Sequence, residues 1–307
     1  MNQSSYVPPA AADPASAARI PRLSAALAQA GFWTGPVALL FIEDEVEIGS
    51  TISHHLRAGF RKVVLCLPDD LVDCADLAGG DQAGVIAVRH DPRETGAAAA
   101  AVNALIEALP TDTWVYYGFN AEYLFYPFCE TRTLGEMLAF HAEERRDAMF
   151  ACVVDLYPAG SGASTNRLDR SNAWIDGAGY YSLPRPGPDG QPLERQVEIH
   201  GGLRWRFDHH VEAERRRIDR IALFRTRRGL RFLPDRRFSV AEYNTFACPW
   251  HHNLTACVLS LRAAKALRSN PASRQDSFRF DWSQSVRCDW SSRQLMDLGL
   301  MEPGQWF

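Results

Sequence analysis

The chain has 307 residues, 46% of them hydrophobic and 23% charged, and carries a formal net charge of −4. That balance is ordinary for a folded, water-soluble protein and leaves room for one large α/β domain or two small ones. The acidic total, with no recognisable nucleic-acid-binding module, excludes nucleic acid as an expected partner. No run of about 18 apolar residues occurs, and no signal peptide opens the chain, so the expected location is cytoplasmic. Seven cysteines (66, 74, 129, 152, 248, 257 and 288) show neither a C-x-x-C pair nor a zinc pattern.

Residues 1–15 are rich in Ser, Pro and Ala and read as a disordered tail. A short helix is expected over 17–30, with Ile20, Leu23 and Leu27 on one face, broken at Gly31. Val37 to Ile42 is an unbroken apolar run after Gly35-Pro36 and fits a strand buried on both faces. A helix follows over Glu45 to Ala58, stopped by Gly59. Further buried strands are expected at Lys62–Leu67, Val85–Val88, Trp114–Tyr117 and Met149–Leu156. Helices are expected at Thr95–Leu109 and Thr133–Arg145. Strand and helix thus alternate over roughly the first 156 residues, which predicts a helix-covered, parallel sheet. Ligands of such sheets bind at the carboxyl ends of the strands. The positions after Ile42, Leu67, Tyr117 and Val154 are therefore where a site is expected.

From Tyr157 to Arg195 the text is rich in Gly, Pro, Ser and Asp and reads as a long irregular stretch. Residues 196–237 read as short apolar pieces among arginines. Asn253 to Arg268 reads as a helix with Leu254, Cys257, Val258, Leu261 and Ala264 inward. Between Arg204 and Arg237 stand twelve arginines: 204, 206, 215, 216, 217, 220, 225, 227, 228, 231, 236 and 237.

The segment Trp114-Val115-Tyr116-Tyr117-Gly118-Phe119-Asn120-Ala121-Glu122-Tyr123-Leu124-Phe125-Tyr126-Pro127 resembles the central block of bacterial family 2-type glycosyltransferases. That block is usually written W, three hydrophobic residues, x-D-A-D-E-F-L-x-x-P. The two aspartates that hold a metal in that family fall here on Phe119 and Ala121, and the acid that survives is Glu122. Other elements follow in family order. Phe41-Ile42-Glu43-Asp44-Glu45 stands where the family has an acid near the base or ribose. His54-His55 with Gly59-Phe60, and then Asp69-Asp70, come next. Gly201-Gly202-Leu203-Arg204-Trp205-Arg206-Phe207 resembles a G-G-hydrophobic-R-x-R-x-F element, and Asp219 to Arg225 the strand after it. Cys248-Pro249-Trp250-His251-His252 stands in the place of a family histidine element.

The resemblance covers roughly residues 36–268. It implies a GT-A-like α/β fold, with a mixed, mainly parallel sheet and helices on both faces. It divides the chain into a tail (1–15), a single domain (16–268, with a nucleotide-binding half 36–156 and an arginine-rich acceptor half 157–268) and a docking C-terminal tail (269–307). The implied activity is transfer of a sugar from a nucleotide-sugar donor to a glycan or lipid-linked acceptor, by inversion. The alternative is a pseudo-glycosyltransferase that binds a glycan, a nucleotide or a protein without turnover.

Sugar transfer needs a base for the acceptor hydroxyl and positive charge for the departing diphosphate. Asp155, in an Asp-Leu-Tyr-Pro that resembles the family's, and Asp208, beside the arginines, are the expected bases. Asp44, Glu45, Asp69, Asp70, Asn120, Glu122, Arg204, Arg206, His251 and His252 are the expected donor-site residues. Asp44 also suits a helix N-cap, and Asp69-Asp70 a turn. Glu122 with the Asn120 amide is the one expected foothold for a divalent manganese or magnesium ion. Two oxygens are few for such a cation, and Arg204 and Arg206 make a metal-independent site the companion expectation. The arginine-rich segment is also an expected contact for a protein partner or the inner face of a membrane.

Overall fold

In the computed structural model the described residues are 21–29, 35–74, 84–160, 167–248, 251–270, 273 and 279–306. The expected tail at 1–15 lies outside them, as do Gly31, Pro249 and Trp250. In chain order the main elements are α1 (Leu23–Gln29), β1 (Val37–Phe41), α2 (Ile48–Ala58), β2 (Lys62–Leu67), β3 (Val85–Arg89), α3 (Ala97–Ala108), β4 (Trp114–Phe119), β5 (Glu122–Phe125), α4 (Leu134–Glu143) and β6 (Ala148–Asp155). They continue as β7 (Tyr157–Pro158), β8 (Ala173–Asp176), β9 (Tyr181–Pro186), β10 (Pro192–His200), α5 (Gly202–Arg206), β11 (Asp219–Arg225), β12 (Ala256–Ser260), α6 (Arg262–Ser269), β13 (Ser285–Arg287) and α7 (Ser292–Asp297).

Eight strands form one sheet in the order β3-β2-β1-β4-β11-β6-β12-β5. Neighbours β3, β2, β1 and β4 are parallel, as are β6 and β12, while β11 and β5 run the other way. This is the mixed, mainly parallel, GT-A-like α/β architecture. The apolar runs dictate it: all five residues of β1 and all of β12 are buried, which requires cover on both faces. Alternation along β1 sends Ala38 and Leu40 to one core and Val37, Leu39 and Phe41 to the other. The first core is closed by Ile48 and Ile52 of α2 and by Leu134, Met137 and Leu138 of α4. The second is closed by Leu23 of α1 and by Ala101, Val102 and Leu105 of α3. Each fully buried Leu or Ile here contributes about 2 kcal/mol of apolar transfer. A third core joins β5, β12, β7 and β8 to α6, Phe280, Leu295 and Leu300, so residues 279–306 pack onto the sheet's far end.

Local chemistry sets the boundaries. Gly59, at φ 109, ends α2 and donates to the carbonyls of His55 and Leu56. Thr133 and Glu136 form a reciprocal capping box at the start of α4. Helix α2 begins at Ile48 rather than Glu45, because Glu47 sits in the left-handed region at φ 60. Asp44 caps the turn before it, accepting from the Val46 amide at 2.9 Å.

Two expectations fail. The stretch 253–268 is not one helix but the buried strand β12, inserted between β6 and β5, and then α6. A five-residue apolar run has no period that separates a buried strand from a buried helix, and the vacant sheet position decides. The stretch 157–195 is not irregular throughout. It holds β7, β8 and β9 and the start of β10, with β9 and β10 paired as a hairpin whose outer strand is mostly exposed. Prolines 184 and 186 hide its alternation, and they are tolerated because the strand is an edge.

Candidate functional site

The β4–β5 turn is the centre of the site. Ala121 takes φ 59 and donates its amide to Thr51 Oγ1 at 2.9 Å, which turns the chain and drops Glu122 into the sheet at the head of β5. Glu122 is 0% exposed. Its two oxygens accept from Arg220 at 2.6 and 3.0 Å, from Ser260 Oγ at 3.1 Å and from the Phe119 amide at 3.0 Å. Burial alone would raise this carboxyl. The charge and hydrogen bonds of Arg220, then Arg262 and the Phe119 amide, overcome that and hold it at about 2. The Arg220 guanidinium is correspondingly held well above its ordinary value, against the cost of its own burial.

A second pair lies alongside. Arg262, at the first turn of α6, forms a two-pronged ion pair with Glu43 at 2.8 and 2.7 Å. Its guanidinium lies 3.5 Å from the centroid of the Phe119 ring. Planar stacking of this kind suits Arg rather than Lys. A third pair joins Lys265 to Asp44, at 3.0 and 2.9 Å.

Asn120 is fully buried and works as a staple. Its Oδ1 accepts from the Glu43 amide at 2.9 Å. Its Nδ2 donates to Asp44 Oδ1 at 2.6 Å and to the Val46 carbonyl at 2.9 Å. The expected metal foothold is therefore already committed: the Asn120 oxygen is taken by a backbone amide, and the Glu122 oxygens by four donors. A hard cation wants six or more oxygens. Among the described residues no group of three or more His, Cys, Asp or Glu is placed to hold a metal. Glu122 and Asn120 do not fit one.

Asp155, at the end of β6, is 1% exposed. Its Oδ2 accepts from the Leu203 amide at 3.0 Å, and Arg204 Nε lies 3.5 Å from Oδ1, which has no hydrogen-bond partner among the described residues. Burial raises its carboxyl above the usual range, and Arg204 opposes this. Gly202, at φ 65, is needed here, since a Cβ would stand 2.7 Å from Asp155 Oδ2. Arg204 is itself buried, donates to the Arg217 carbonyl at 3.1 Å and shares an electrostatic neighbourhood with Glu122, Arg220 and Arg262.

Other expected residues fall elsewhere. Arg206 is captured by Asp176, at 3.0 Å to each oxygen, and Asp176 also accepts from Trp282 Nε1 at 2.8 Å and from the Tyr157 hydroxyl. That makes Arg206 a clamp on the third core rather than a cation free for diphosphate. Asp69 pairs with Arg89 at 2.7 Å and Asp70 with Arg93 at 2.5 Å, on the surface. Glu45 is exposed. His251 sits 3.1 Å from Glu144, and the exposed His252 lies 3.6 Å from Glu302. Asp208 is exposed, 3.5 Å from Arg216.

The structure thus gathers Asp44, Asn120, Glu122, Asp155 and Arg204 at one end of the sheet, and leaves Glu45, Asp69, Asp70, Asp208, Arg206, His251 and His252 in pairs or positions of their own. The residues missed from the sequence are Glu43, Arg220, Ser260, Arg262 and Lys265. One signal was present: an acid placed inside a sheet demands a counter-cation, and Arg220 is the arginine that leads into the apolar run Ile221–Phe224.

The arginine-rich segment is mostly neutralised. Arg215 pairs with Glu212, Arg216 with Asp208, Arg217 with Glu198, Arg225 with Asp112 and Asp147, Arg231 with Glu107, and Arg237 with Asp235. Among the described residues of this run, Arg227, Arg228 and Arg236 are without an acidic partner. No helix among the described residues is long and apolar enough to cross a membrane.

The chain matches no protein-family model and no curated protein. Thirteen chains of solved structures match it. One is the crystal structure of S. aureus TarS 1–349, at 12% identity and a TM-score of 0.33, covering 73% of this chain and 60% of that one. The chain therefore spans less than two thirds of the length of that structure.

Proposed function

We propose that this chain is a glycosyltransferase-like protein that binds a nucleotide sugar at the strand ends and meets the charge of its diphosphate with guanidinium groups instead of a metal. The observation that carries this reading is the replacement at the end of β4. Where the resembled family places two metal-holding aspartates, this chain has Phe119 and Ala121, with Arg262 stacked on the one and Arg220 locked beneath on Glu122. Fixed, prepositioned cations can stabilise a leaving diphosphate without reorganising. Asp155 is our choice of base toward an acceptor hydroxyl, supported by burial that raises its proton affinity and by one oxygen that accepts no hydrogen bond among the described residues. The acceptor is a glycan or a lipid-linked sugar, and the site of action is cytoplasmic.

A second reading is favoured by one specific observation. The Asp155 side chain is 1% exposed beneath Gly202 and Leu203, so an acceptor reaches it only if that cover moves. A protein that keeps this enclosure binds nucleotide, glycan or a protein partner without transfer.

The test is a thermal-shift panel of nucleoside diphosphates and nucleotide sugars, each in manganese and in EDTA, followed by turnover of wild type and Asp155→Asn. The expected result is equal stabilisation in both media, since a ligand bound to the native state alone raises the melting temperature. Stabilisation confined to manganese would overturn the metal-independent site. Binding with no turnover on any acceptor would establish the second reading.

A further inference from the structure

A cleft of about 20 Å³ opens beside the Glu122 centre, lined by Arg185, Arg217, Asp219, Arg220, Arg236 and Arg237 together with Asn244 and with Phe150 and Ile221 of the second core. Five guanidiniums thus face one carboxylate. Their partners explain four of them. Arg220 is held by Glu122, Arg217 by Glu198 at 2.6 Å, Arg237 by Asp235, and Arg185 by Asp219 at 2.5 Å and by the Val197 carbonyl at 3.0 Å. Arg236 has no ion pair and no side-chain hydrogen bond among the described residues. Arg185 is nine-tenths buried, and its Nε is left without an acceptor among the described residues. A buried N–H with no partner is costly to leave unmade, and a bound acceptor would remove that cost.

The chain positions Arg236 with care. It sits at φ 65 in a tight turn, its amide donating to the Leu233 carbonyl at 3.0 Å while the Leu233 amide donates to the Arg237 carbonyl at 2.7 Å. Phe232 and Phe238 flank this turn, pack on each other at 5.0 Å and anchor it in the second core. The backbone is pinned, and the side chain keeps part of its surface in water. Crowding by protein lowers its pKa to about 10, as do Arg220, Arg262 and Arg204 nearby, so it stays charged at neutral pH and adds to a positive field.

We propose that this cleft is a phosphate-binding pocket, in which Arg236, Arg185 and Arg220 grip the oxyanion of a phosphorylated ligand and the Arg236 side chain is its movable wall. Resting on the nucleotide-sugar reading above, that phosphate belongs to the donor's diphosphate. The three guanidiniums reach the cleft from three separate segments, β9, β11 and the 233–237 turn. Convergence from several sides suits a tetrahedral phosphate, whereas a planar carboxylate is satisfied by a single fork. The resting volume holds about one water, so the ligand enters by lifting Arg236, whose long exposed chain then closes on it.

The test is isothermal titration calorimetry of the full chain at low ionic strength with pyrophosphate and, separately, with uridine and guanosine diphosphates. It compares wild type, Arg236→Gln and the control Arg228→Gln, an exposed arginine outside the cleft. The expected result is pyrophosphate binding weakened at least tenfold by Arg236→Gln and unchanged by Arg228→Gln. Pyrophosphate affinity equal in wild type and Arg236→Gln, or no pyrophosphate binding at all, would overturn the pocket. If a nucleoside diphosphate still bound in that case, the nucleotide reading would stand without it. Pyrophosphate binding that depends on Arg236, with no nucleoside diphosphate bound, would uphold the pocket for another phosphorylated ligand and remove the nucleotide reading.

Discussion

Two groups of arginines share one end of the sheet and one residue, Arg220, yet they are built to opposite ends. Around Glu122 every charge has its partner: Arg220, Ser260 and the Phe119 amide on Glu122, and Arg262 on Glu43. Among the described residues, Arg236 is a cation with no paired acid and the buried Arg185 Nε has no acceptor. Both regions are rich in guanidinium, so composition does not tell them apart. What separates them is satisfaction. A buried network with all its hydrogen bonds made offers a ligand only the field of its fixed charges, and one left short of an acceptor is where a ligand's oxygens also gain hydrogen bonds.

The strongest way to break this contrast is to open the closed centre. Glu122→Gln leaves Arg220 buried against a neutral partner, with Arg262 nearby. Breaking a buried pair from one side costs about 3–5 kcal/mol. The expected outcome is a fall of that size in urea-unfolding stability at pH 7, with an unchanged m-value. The double variant Glu122→Leu/Arg220→Met removes both charges and is expected to recover more than half of the loss. A single variant within about 1 kcal/mol of wild type would mean that Glu122 is not the keystone of the closed centre.

The same contrast explains what could be read in the sequence. Strands β1, β2, β4 and β6 were legible because unbroken apolar runs between turn residues admit few other states. Gly59 was legible as a helix stop for a local reason. Glu122 was legible as a position, but its role was not. Its partners stand 98 and 138 residues further along the chain, and only the packing of β11 and β12 against β4 and β5 brings them in. Arg204 and Arg206 look alike in sequence. One falls beside Asp155 and the other is taken by Asp176, a choice made by the hairpin and the C-terminal segment, where the text gave little period to follow. Asn120 was expected to lend an oxygen to a metal, and its surroundings instead turn it inward as a staple between β4 and the β1–α2 loop.

Acid titration sharpens the contrast at a smaller scale. Glu122 has its pKa lowered to about 2, so its contribution is complete above the ordinary carboxylate value near 4.5 and is lost as pH falls from there toward 2. It adds no slope between pH 5 and 8. The buried histidines do. Burial, then His54, lower His55 to about 3 against the Thr51 carbonyl, and burial lowers His141 to about 4 against the Ala148 carbonyl. In both, the unfolded chain takes up a proton near pH 6.5 that the folded chain refuses. Their stabilisation is therefore full above pH 6.5 and declines as pH falls below it. Between pH 7 and pH 5.5 the expected loss is about 2 kcal/mol for the two together. Urea unfolding of wild type and of His55→Gln/His141→Gln at the two pH values measures it. Burial also lowers His54 to about 4, so the slope is expected to fall by about two thirds in the double variant, and one unchanged there would remove His55 and His141 as its source.

The smallest effect expected on stability belongs to Asp208, and it bears most directly on chemistry. Its pair with Arg216 is 3.5 Å long, with more than a third of each side chain in water. Exposed pairs of that kind contribute about 0–1 kcal/mol. Asp208→Ala is therefore expected to leave the unfolding midpoint within error of wild type. Asp155 is its opposite: enclosed, raised in pKa by burial, and joined to Arg204 and the Leu203 amide. The Asp-Leu-Tyr-Pro resemblance favours Asp155 slightly over Asp208 as the base, and the structure gives the two acids opposite surroundings. If transfer takes place at the strand ends, turnover survives Asp208→Ala and falls at least a hundredfold in Asp155→Asn, the usual scale for removing a general base, while nucleotide binding in both variants stays that of wild type. Turnover lost in Asp208→Ala alone would move the chemistry out of the enclosed end of the sheet and onto the exposed turn, and Asp155 would then be one more member of the closed network.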